Sequence, residues 1–258
     1  MGAVAPGMND DQTILRTVAV SKSFGRFKAL SGVSGEFHRG RLTAIIGPNG
    51  AGKSTYFNLL SGALAPSGGR IFFEGRDITG LAQSRFAALG IAKSFQITSI
   101  FPELTVHENV RAVVQAGEIR LNFWRSRNAY PRFATDAEAL LDRVGLAGRA
   151  RMIAGRLAHG EQRALEIAMA LASRPRLLLL DEPTAGMSPE ETQAMMGLIA
   201  GLVPAHTVIL VEHKMKLVMG IAERVLVLHH GEVQAIGTPD EIRANAEVRR
   251  VYLGQREG

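Results

Sequence analysis

The chain has 258 residues, of which 46% are hydrophobic, and it carries a formal net charge of +6 at pH 7. This size and apolar content suit one large α/β domain with a packed core, and the absence of cysteine excludes a disulfide framework, a thiolate metal site and a thiol nucleophile. The basic residues are scattered, which favours a solvated basic surface, or a basic face near lipid headgroups, and no nucleic-acid partner is expected.

Residues 1–12 include Asn9, Asp10 and Asp11 and lack the apolar segment of a signal peptide, so we predict a disordered tail there. No apolar run approaches the roughly 18 residues of a membrane-spanning helix. Three short β-rich runs separated by glycine-containing turns predict a small antiparallel layer near the N-terminus. These runs are residues 17–20, 33–37 and 70–73.

Four short apolar runs predict buried strands of a mainly parallel sheet, because each is too short for a buried helix and is bounded by Gly, Pro, Asp or charged residues. They are residues 42–46, 177–180, 208–211 and 225–228. Helical patterns lie between them and give the βαβ alternation of an open α/β fold. A further short β run is predicted at 91–95.

The stretch 105–154 has a different character and predicts a helical insertion within this core. Residues 136–144 show the i, i+3, i+4 apolar spacing of an amphipathic helix. Residues 122–133 mix aromatics, arginines and a proline and are predicted to form a loop.

One segment matches the phosphate-binding pattern G-x-x-x-x-G-K-[ST] between a predicted strand and a predicted helix, which is the context that this motif requires. Its backbone N–H groups and the N-terminus of the following helix suit phosphate oxygens. We expect Lys53 to reach the β- and γ-phosphates and Ser54 to ligate Mg²⁺. The residues predicted to bind ATP here are Gly47, Pro48, Asn49, Gly50, Ala51, Gly52, Lys53, Ser54 and Thr55.

Two carboxylates, Asp181 and Glu182, directly follow one of the apolar runs. Ligands of open α/β sheets bind at the carboxyl ends of the strands. We therefore predict that Asp181 holds the Mg²⁺ shell and that Glu182 is the general base that activates the attacking water. The alternative interpretation is that both are solvated residues at a strand end. It is less favoured because the same chain contains a phosphate-binding loop.

Further motifs stand in the order found in ABC ATPases, and the chain resembles that family from about residue 17 to residue 254. The segment 157–163, Leu-Ala-His-Gly-Glu-Gln-Arg, resembles the ABC signature motif, and residues 184–189 match the D-loop. Gln96 stands at the Q-loop position, His213 at the switch-histidine position and Phe24 at the position of the aromatic that stacks on adenine.

The resemblance implies a role for each of these residues. Gln96 would sense Mg²⁺ and the attacking water, and it joins Ser54 and Asp181 as a predicted metal ligand. His213 would hydrogen-bond the γ-phosphate. The predicted catalytic set is Glu182, His213, Gln96 and Lys53. The signature residues expected to contact the nucleotide held by a second subunit are Ala158, His159, Gly160 and Glu161.

Four residues depart from the usual family pattern. Ala158 replaces a serine, His159 a glycine and Glu161 a glutamine, so one hydroxyl contact to the γ-phosphate is lost. Ser188 stands where the D-loop has aspartate. Because Ser188 opens the capping-box sequence Ser-Pro-Glu-Glu, we expect it to cap the next helix.

The resemblance implies an α/β fold with a P-loop NTPase (RecA-like) core and mainly parallel sheet, an N-terminal antiparallel β subdomain and an inserted helical subdomain. Within an ABC ATPase domain at 13–258, we predict the core and β subdomain at 13–95 and 160–240. The helical subdomain is predicted at 96–159, and a C-terminal tail at 241–258.

Segments 213–220, 237–243 and 251–254 are similar to LivG-like ATPases, which serve bacterial importers of branched-chain amino acids. This implies ATP hydrolysis that drives transport of such amino acids or related small polar solutes. The implied partners are a second ATPase subunit, identical or different, two integral-membrane permeases and, indirectly, an extracytoplasmic solute-binding protein. The implied location is peripheral, on the cytoplasmic face of the inner (plasma) membrane.

Alternatives remain open at this stage. The ATPase of lipopolysaccharide export shares a similar C-terminal ending. A soluble ABC ATPase acting on DNA or ribosomes would usually have two cassettes or long coiled-coil insertions, which this chain lacks. A P-loop kinase would have neither a signature motif nor a switch histidine.

Overall fold

The computed structural model describes residues 12–93, 100–118 and 131–253. The strands in these ranges are β1 (Thr13–Phe24), β2 (Phe27–His38), β3 (Leu42–Ile46), β4 (Gly68–Phe73), β5 (Arg76–Asp77), β6 (Ile91–Lys93), β7 (Leu177–Asp181), β8 (Thr207–Val211), β9 (Arg224–His229) and β10 (Glu232–Gly237). The α-helices are α1 (Lys53–Leu60), α2 (Gln83–Ala88), α3 (Val106–Glu118), α4 (Pro131–Arg143), α5 (His159–Ala172), α6 (Pro189–Leu202), α7 (Met215–Ile221), α8 (Pro239–Ala244) and α9 (Ala246–Leu253). Two short 3₁₀ helices, Ala147–Arg149 and Ala154–Arg156, precede α5.

The central sheet has six strands in the order β10-β9-β3-β8-β7-β6. All neighbours pair in parallel except the edge strand β10, which is antiparallel to β9. Strands β3, β7 and β8 are buried along their whole length, as expected when both faces of a sheet are covered. Alternate residues of β7 face opposite cores, Leu177 and Leu179 on one side and Leu178 and Leu180 on the other. The predicted mainly parallel core is confirmed.

A second sheet has four antiparallel strands in the order β2-β1-β4-β5, which confirms the predicted N-terminal layer. Its first two strands have 12 residues each and are much longer than predicted. The β1–β2 pairing contains register shifts, one of them around Ala19 with φ 48°. Such bulges interrupt the period-2 alternation on which a strand prediction rests. The core shared with α1 includes Phe37, Tyr56, Phe57 and Phe73.

The helices α3, α4 and α5 pack against one another, so the predicted helical insertion is present. The helix predicted at 136–144 starts earlier, at Pro131, and the loop prediction is therefore wrong for 131–133. Proline is tolerated as the first residue of a helix because the N–H that it lacks has no partner there. Residues 122–130 lie outside the described ranges. The buried apolar side chains that α3 and α4 contribute to the main core are Val106, Val110, Val114, Phe133, Ala137 and Leu141.

The segment predicted as a C-terminal tail is helical in its described part. The Thr238 hydroxyl accepts from the backbone N–H of Glu241 at 3.3 Å, and the Glu241 carboxylate accepts from the N–H of Thr238 at 2.7 Å. This capping box starts α8. The buried side chains of Ile242 and Val248 pack α8 and α9 against the main core.

Besides residues 122–130, four segments of the sequence predictions lie outside the described residues: the tail at 1–11, positions 94–95 of the predicted β run, the Q-loop residue Gln96 and the end of the chain at 254–258. Within the described ranges, none of the helices has both the length and the apolar character that crossing a bilayer demands.

Candidate active site

The predicted site residues converge at the carboxyl ends of three adjacent strands. Strand β3 leads into the loop that starts at Gly47, β7 ends at Asp181, and β8 leads to His213. Since β8 lies between β3 and β7 in the sheet, the three loops meet at one edge. This is the edge at which open α/β sheets bind ligands.

The phosphate-binding loop needs glycine at two places for steric reasons. A Cβ on Gly47 would lie 2.3 Å from the carbonyl oxygen of Leu228 on the neighbouring strand. Gly52 has φ +96°, and a Cβ there would lie 2.7 Å from the Leu30 side chain. The backbone N–H of Gly231 donates to the Ala51 carbonyl at 3.1 Å, so the β9–β10 hairpin supports the loop from behind. The loop is therefore packed tightly on one side, and Asn49 and Gly50 are exposed on the other.

Lys53 begins α1 and is almost completely buried, with 8% of its surface exposed. Its ammonium donates to the carbonyl oxygens of Gly47 at 2.8 Å and Pro48 at 3.0 Å. Burial lowers the pKa of Lys53, and the nearby carboxylates of Glu182 and Asp181 act in the opposite direction. The positively charged ammonium of Lys53 therefore lies at the centre of the phosphate-binding loop.

Next along α1, Ser54 is exposed and Thr55 is half-buried. Asp181 is buried, and burial raises its pKa, while Lys93 and Lys53 act to lower it. Its Oδ1 atom has no hydrogen-bond partner in the described part of the chain. A buried carboxylate oxygen without a donor is a suitable ligand for a cation.

A metal ion at this edge would have few protein ligands. Among the described residues no group of three or more His, Cys, Asp or Glu side chains is placed to bind one. Mg²⁺ usually takes one or two protein oxygens and completes its shell with water and substrate phosphates. Asp181 and Ser54 therefore fit Mg²⁺ bound together with a nucleotide. Gln96, the third predicted ligand, lies outside the described residues.

Glu182 follows Asp181 in a strained backbone conformation, with φ +45°. Its N–H donates to the Val211 carbonyl at 2.9 Å, which continues the pairing of β7 with β8. Its carboxylate is partly exposed and lies 3.9 Å from Nδ1 of His213, beyond direct hydrogen-bond distance. The two side chains predicted to flank the γ-phosphate are therefore close neighbours, and both are accessible.

Sequence reasoning missed Glu212, which lies between β8 and His213. Its side chain is completely buried and accepts hydrogen bonds from the Thr184 hydroxyl and from the backbone N–H groups of His213 and Lys214. The sequence signal was a glutamate that directly continues an apolar strand, where a solvated residue would not be expected.

The signature segment starts α5 and makes its own local contacts. Glu161 accepts from the Ala158 backbone N–H at 3.0 Å and pairs with Arg149, also at 3.0 Å. It therefore supplies one half of a capping box, and Ala158, which has no side-chain oxygen, cannot supply the other half. His159 Nε2 donates to the carbonyl oxygen of Ala185 at 3.0 Å. Gly160 packs beside Glu191 of α6.

Ser188 caps α6 as predicted. Its hydroxyl accepts from the Glu191 N–H at 3.2 Å, and the Glu191 carboxylate accepts from the Ser188 N–H at 2.9 Å.

Phe24 lies at the end of β1 with 47% of its surface exposed, and the Lys22 ammonium lies 5.3 Å from its ring centre. An exposed aromatic ring at this place is available for stacking.

Comparison with known proteins links this arrangement to one family. The model of the ABC transporter family matches residues 30–185, and a model described as branched-chain amino acid ATP-binding cassette transporter matches residues 235–258. The chain is 41% identical to the high-affinity branched-chain amino acid transport ATP-binding protein LivG of Salmonella typhimurium, over 95% of this chain and 99% of that protein. It is also 41% identical to BraF of Pseudomonas aeruginosa, another high-affinity branched-chain amino acid transport ATP-binding protein, over 94% and 98%.

Solved structures give the same picture. The ADP conformation of MJ1267, an ATP-binding cassette of an ABC transporter, superposes with a TM-score of 0.81 at 31% identity, over 94% of this chain and 99% of that one. A dimeric post-hydrolysis state of the cassette MJ0796, bound to ADP and Pi, gives a TM-score of 0.74 at 25% identity, over 88% and 99%.

Proposed function

Since this chain belongs to the ABC transporter family of ATP-binding cassettes, we propose that it hydrolyses ATP to drive an importer of branched-chain amino acids or related small polar solutes. One observation carries the catalytic part of the proposal. Three adjacent strands have their carboxyl ends at one sheet edge, and this edge brings together Lys53, Asp181, Glu182 and His213. The cargo is inferred from relatives whose names specify branched-chain amino acid transport.

ATP binding rests on the loop that precedes α1. Its N–H groups and the N-terminus of the helix would hold the phosphates, while the Lys53 ammonium would exchange its two carbonyl acceptors for β- and γ-phosphate oxygens. The exposed ring of Phe24 would stack on adenine. Burial of Lys53 favours this exchange, because a partly desolvated cation gains more from an anion than a solvated one does.

Asp181 and Ser54 would hold Mg²⁺, and the unpartnered buried oxygen of Asp181 supports this assignment. The ion supplies charge neutralisation on the phosphates. Gln96 stays a predicted third ligand.

Glu182 is proposed as the general base. Its carboxylate would take a proton from water as the water oxygen bonds to the γ-phosphorus, and the bond from that phosphorus to the β–γ bridging oxygen would break to release ADP and phosphate. His213, whose Nδ1 lies 3.9 Å from Glu182 Oε1, would donate to the γ-phosphate during this step. The partial exposure of both side chains leaves room for water and nucleotide.

We propose that two ATPase subunits, identical or different, close on two nucleotides, with residues 158–161 of each subunit facing the ATP bound by the other. The N-terminus of α5 supports this, because it presents N–H groups and a positive helix end to an anion. The dimeric state of the similar MJ0796 cassette agrees with such an assembly.

The remaining partners follow from the same proposal. Two permeases would contact the helical subdomain, which we propose spans 96–159 between core segments 13–95 and 160–240. The part at 241–258 would be a C-terminal extension of the core. The subunit would act at the cytoplasmic face of the inner membrane, and a solute-binding protein would deliver the cargo from outside.

The hydrolysis proposal is tested with two substitutions and a control, by measuring nucleotide binding, ATP turnover and dimer formation. K53A should lose nucleotide binding. E182Q should bind Mg-ATP as the wild type does, form a dimer, and lose turnover by about 100-fold or more. E138Q, an exposed glutamate on α4, should behave as the wild type. Wild-type turnover in E182Q would remove Glu182 from the role of base.

A further inference from the structure

Glu212 is a carboxylate in a place where an acidic side chain is costly. It has 0% of its surface exposed, and a buried charge destabilises a fold unless donors satisfy it. Three donors do so. The Thr184 hydroxyl donates to Oε1, and the backbone N–H groups of His213 and Lys214 donate to Oε2 at 3.0 and 3.2 Å.

These donors belong to two different loops of the site. Thr184 lies two residues after Glu182 on the loop that follows β7, and it is also completely buried. His213 is on the loop that follows β8. One carboxylate thus links the loop of the proposed general base to the loop of the proposed switch histidine.

Lys214 adds a second link between the same loops. Its ammonium donates to the Thr184 carbonyl oxygen at 3.1 Å and to the Thr192 hydroxyl of α6 at 3.3 Å. We call Thr184, Glu212 and Lys214 the loop clamp. The two loops joined by the loop clamp start from a fixed position, because β7 and β8 are paired along their full length up to Asp181 and Val211.

We propose that Glu212 is a positioning residue that fixes the position of Glu182 relative to His213. It does so by bonding Thr184, which lies on the same loop as Glu182, and this inference rests on the proposed ATPase function. The geometry supports the role in two ways. The distance of 3.9 Å between Glu182 Oε1 and His213 Nδ1 is too long for a hydrogen bond, so this pair does not fix its own spacing, whereas Glu212 is bonded to both loops. The strained φ of Glu182 also needs neighbouring contacts to maintain it.

The test compares two substitutions that remove the same chemical group. T184V removes the hydroxyl that donates to Glu212. T207V removes a buried hydroxyl at the opposite end of β8, where it accepts from the Gly40 N–H at 3.0 Å. Both variants lose one hydrogen bond from a buried threonine, and only T184V affects the loop clamp.

We measure kcat, KM for ATP and the unfolding midpoint of the full chain. For T184V we expect kcat to fall by about 10- to 100-fold with KM within about twofold of wild type, since misplacement of a catalytic group by a fraction of an ångström affects the chemical step. T207V should keep the wild-type kcat even if its unfolding midpoint falls as far as that of T184V.

Substitutions at Glu212 itself provide the second arm. A glutamine can accept from both N–H groups through its oxygen and donate to Thr184 through its nitrogen, so E212Q should retain kcat within about threefold. E212A should lose kcat as T184V does, and the double variant T184V/E212A should lose no more than E212A alone, because both changes remove the same link.

Equal kcat values for T184V and T207V, a T184V effect that appears only in KM, or full additivity in the double variant would each overturn the positioning role. Failure of the underlying function gives a different result. In that case the wild-type chain would not hydrolyse ATP, or E182Q would hydrolyse it at the wild-type rate.

Discussion

His159 at the start of α5 donates a hydrogen bond of 3.0 Å from Nε2 to the carbonyl oxygen of Ala185, on the loop that follows β7. The same residue, Ala185, donates its own N–H to the carbonyl of Glu182 at 3.1 Å. The signature segment and the loop of the proposed base are therefore connected within one subunit. A histidine at this place can make a contact that glycine cannot.

This contact leads to a first prediction. H159A should reduce kcat by about 3- to 10-fold, because loss of one hydrogen bond, worth roughly 0.5–1.5 kcal/mol, loosens the loop that carries Glu182. The nucleotide affinity of the monomeric subunit should stay unchanged, because its own phosphate-binding loop is intact. The measurement is steady-state ATP turnover together with nucleotide binding. H107A is the matched control, since His107 makes a similar contact to the Ala134 carbonyl in the helical region. An equal loss of kcat in both variants would contradict the prediction.

A second prediction concerns Ala158, the N-cap residue of α5, which has the extended backbone that a capping residue needs (φ −61°, ψ 159°). A158S should raise the free energy of unfolding by about 0.5–2 kcal/mol, since a serine hydroxyl can accept from the Glu161 N–H and complete the capping box that Glu161 already half supplies. Denaturant unfolding without nucleotide measures this.

The control for that experiment is A194S, which makes the same change in the exposed interior of α6. It should be neutral or slightly destabilising, because serine is a weaker helix former than alanine. If A158S is no more stable than A194S, the start of α5 does not use side-chain capping.

Phe24 gives a third prediction. F24A should raise KM for ATP by about 2- to 10-fold, because stacking of an aromatic ring contributes roughly 0.5–1.5 kcal/mol. F101A removes a ring of nearly equal exposure, 50%, in the helical region and should leave KM unchanged. Fluorescence titration with an adenine nucleotide is the direct measurement. An F24A protein that binds ATP as tightly as F101A would rule out stacking by Phe24.

The buried His38 predicts a pH dependence of stability. Burial lowers its pKa below the usual 6.5, and Arg224 and Arg41 add to this, while Glu36 acts in the opposite direction. The unfolded chain therefore binds a proton more readily than the folded one, so stability is lost as the pH falls below the unfolded pKa of 6.5. H38Q should weaken the loss of unfolding free energy between pH 7.5 and pH 5.5, relative to wild type.

The control replaces the exposed His230 with asparagine, which tolerates its φ of 47°. H230N should keep the wild-type pH dependence. An H38Q profile that falls as steeply as that of H230N would show that His38 does not contribute.

The sequence predicted the central sheet well, because its strands are short apolar runs between sharp boundaries. Strand β3 has the predicted bounds, and β7 extends one residue past its apolar run to include Asp181. The sequence pattern underestimates the long strand β1, since its polar residues and its bulge near Ala19 hide the alternation. The pattern also predicts a loop at Pro131, although this residue begins a helix.

Each part of the site is predicted by a motif of residues that are neighbours in sequence. The hydrogen bonds between these parts are not predicted by the motifs. The position of Glu212 after an apolar strand signals burial, but its partner Thr184 is 28 residues away in sequence and is known only from the fold. The bond from His159 to Ala185 depends in the same way on how α5 packs beside the loop after β7. Local sequence predicts a helix cap such as Ser188, but it does not predict how loops that are far apart in sequence are positioned relative to each other. The functional roles of the site residues stay predictions.

The most direct test of the central claim is a pull-down of tagged E182Q protein with Mg-ATP from native membranes, with co-purifying proteins identified by mass spectrometry. We predict two multi-span permeases and a second ATPase subunit, and the associated solute-binding protein should then bind a branched-chain amino acid or a related small polar solute. Recovery of lipopolysaccharide-export components, or of ribosomal or DNA-repair proteins without a membrane partner, would contradict the importer function.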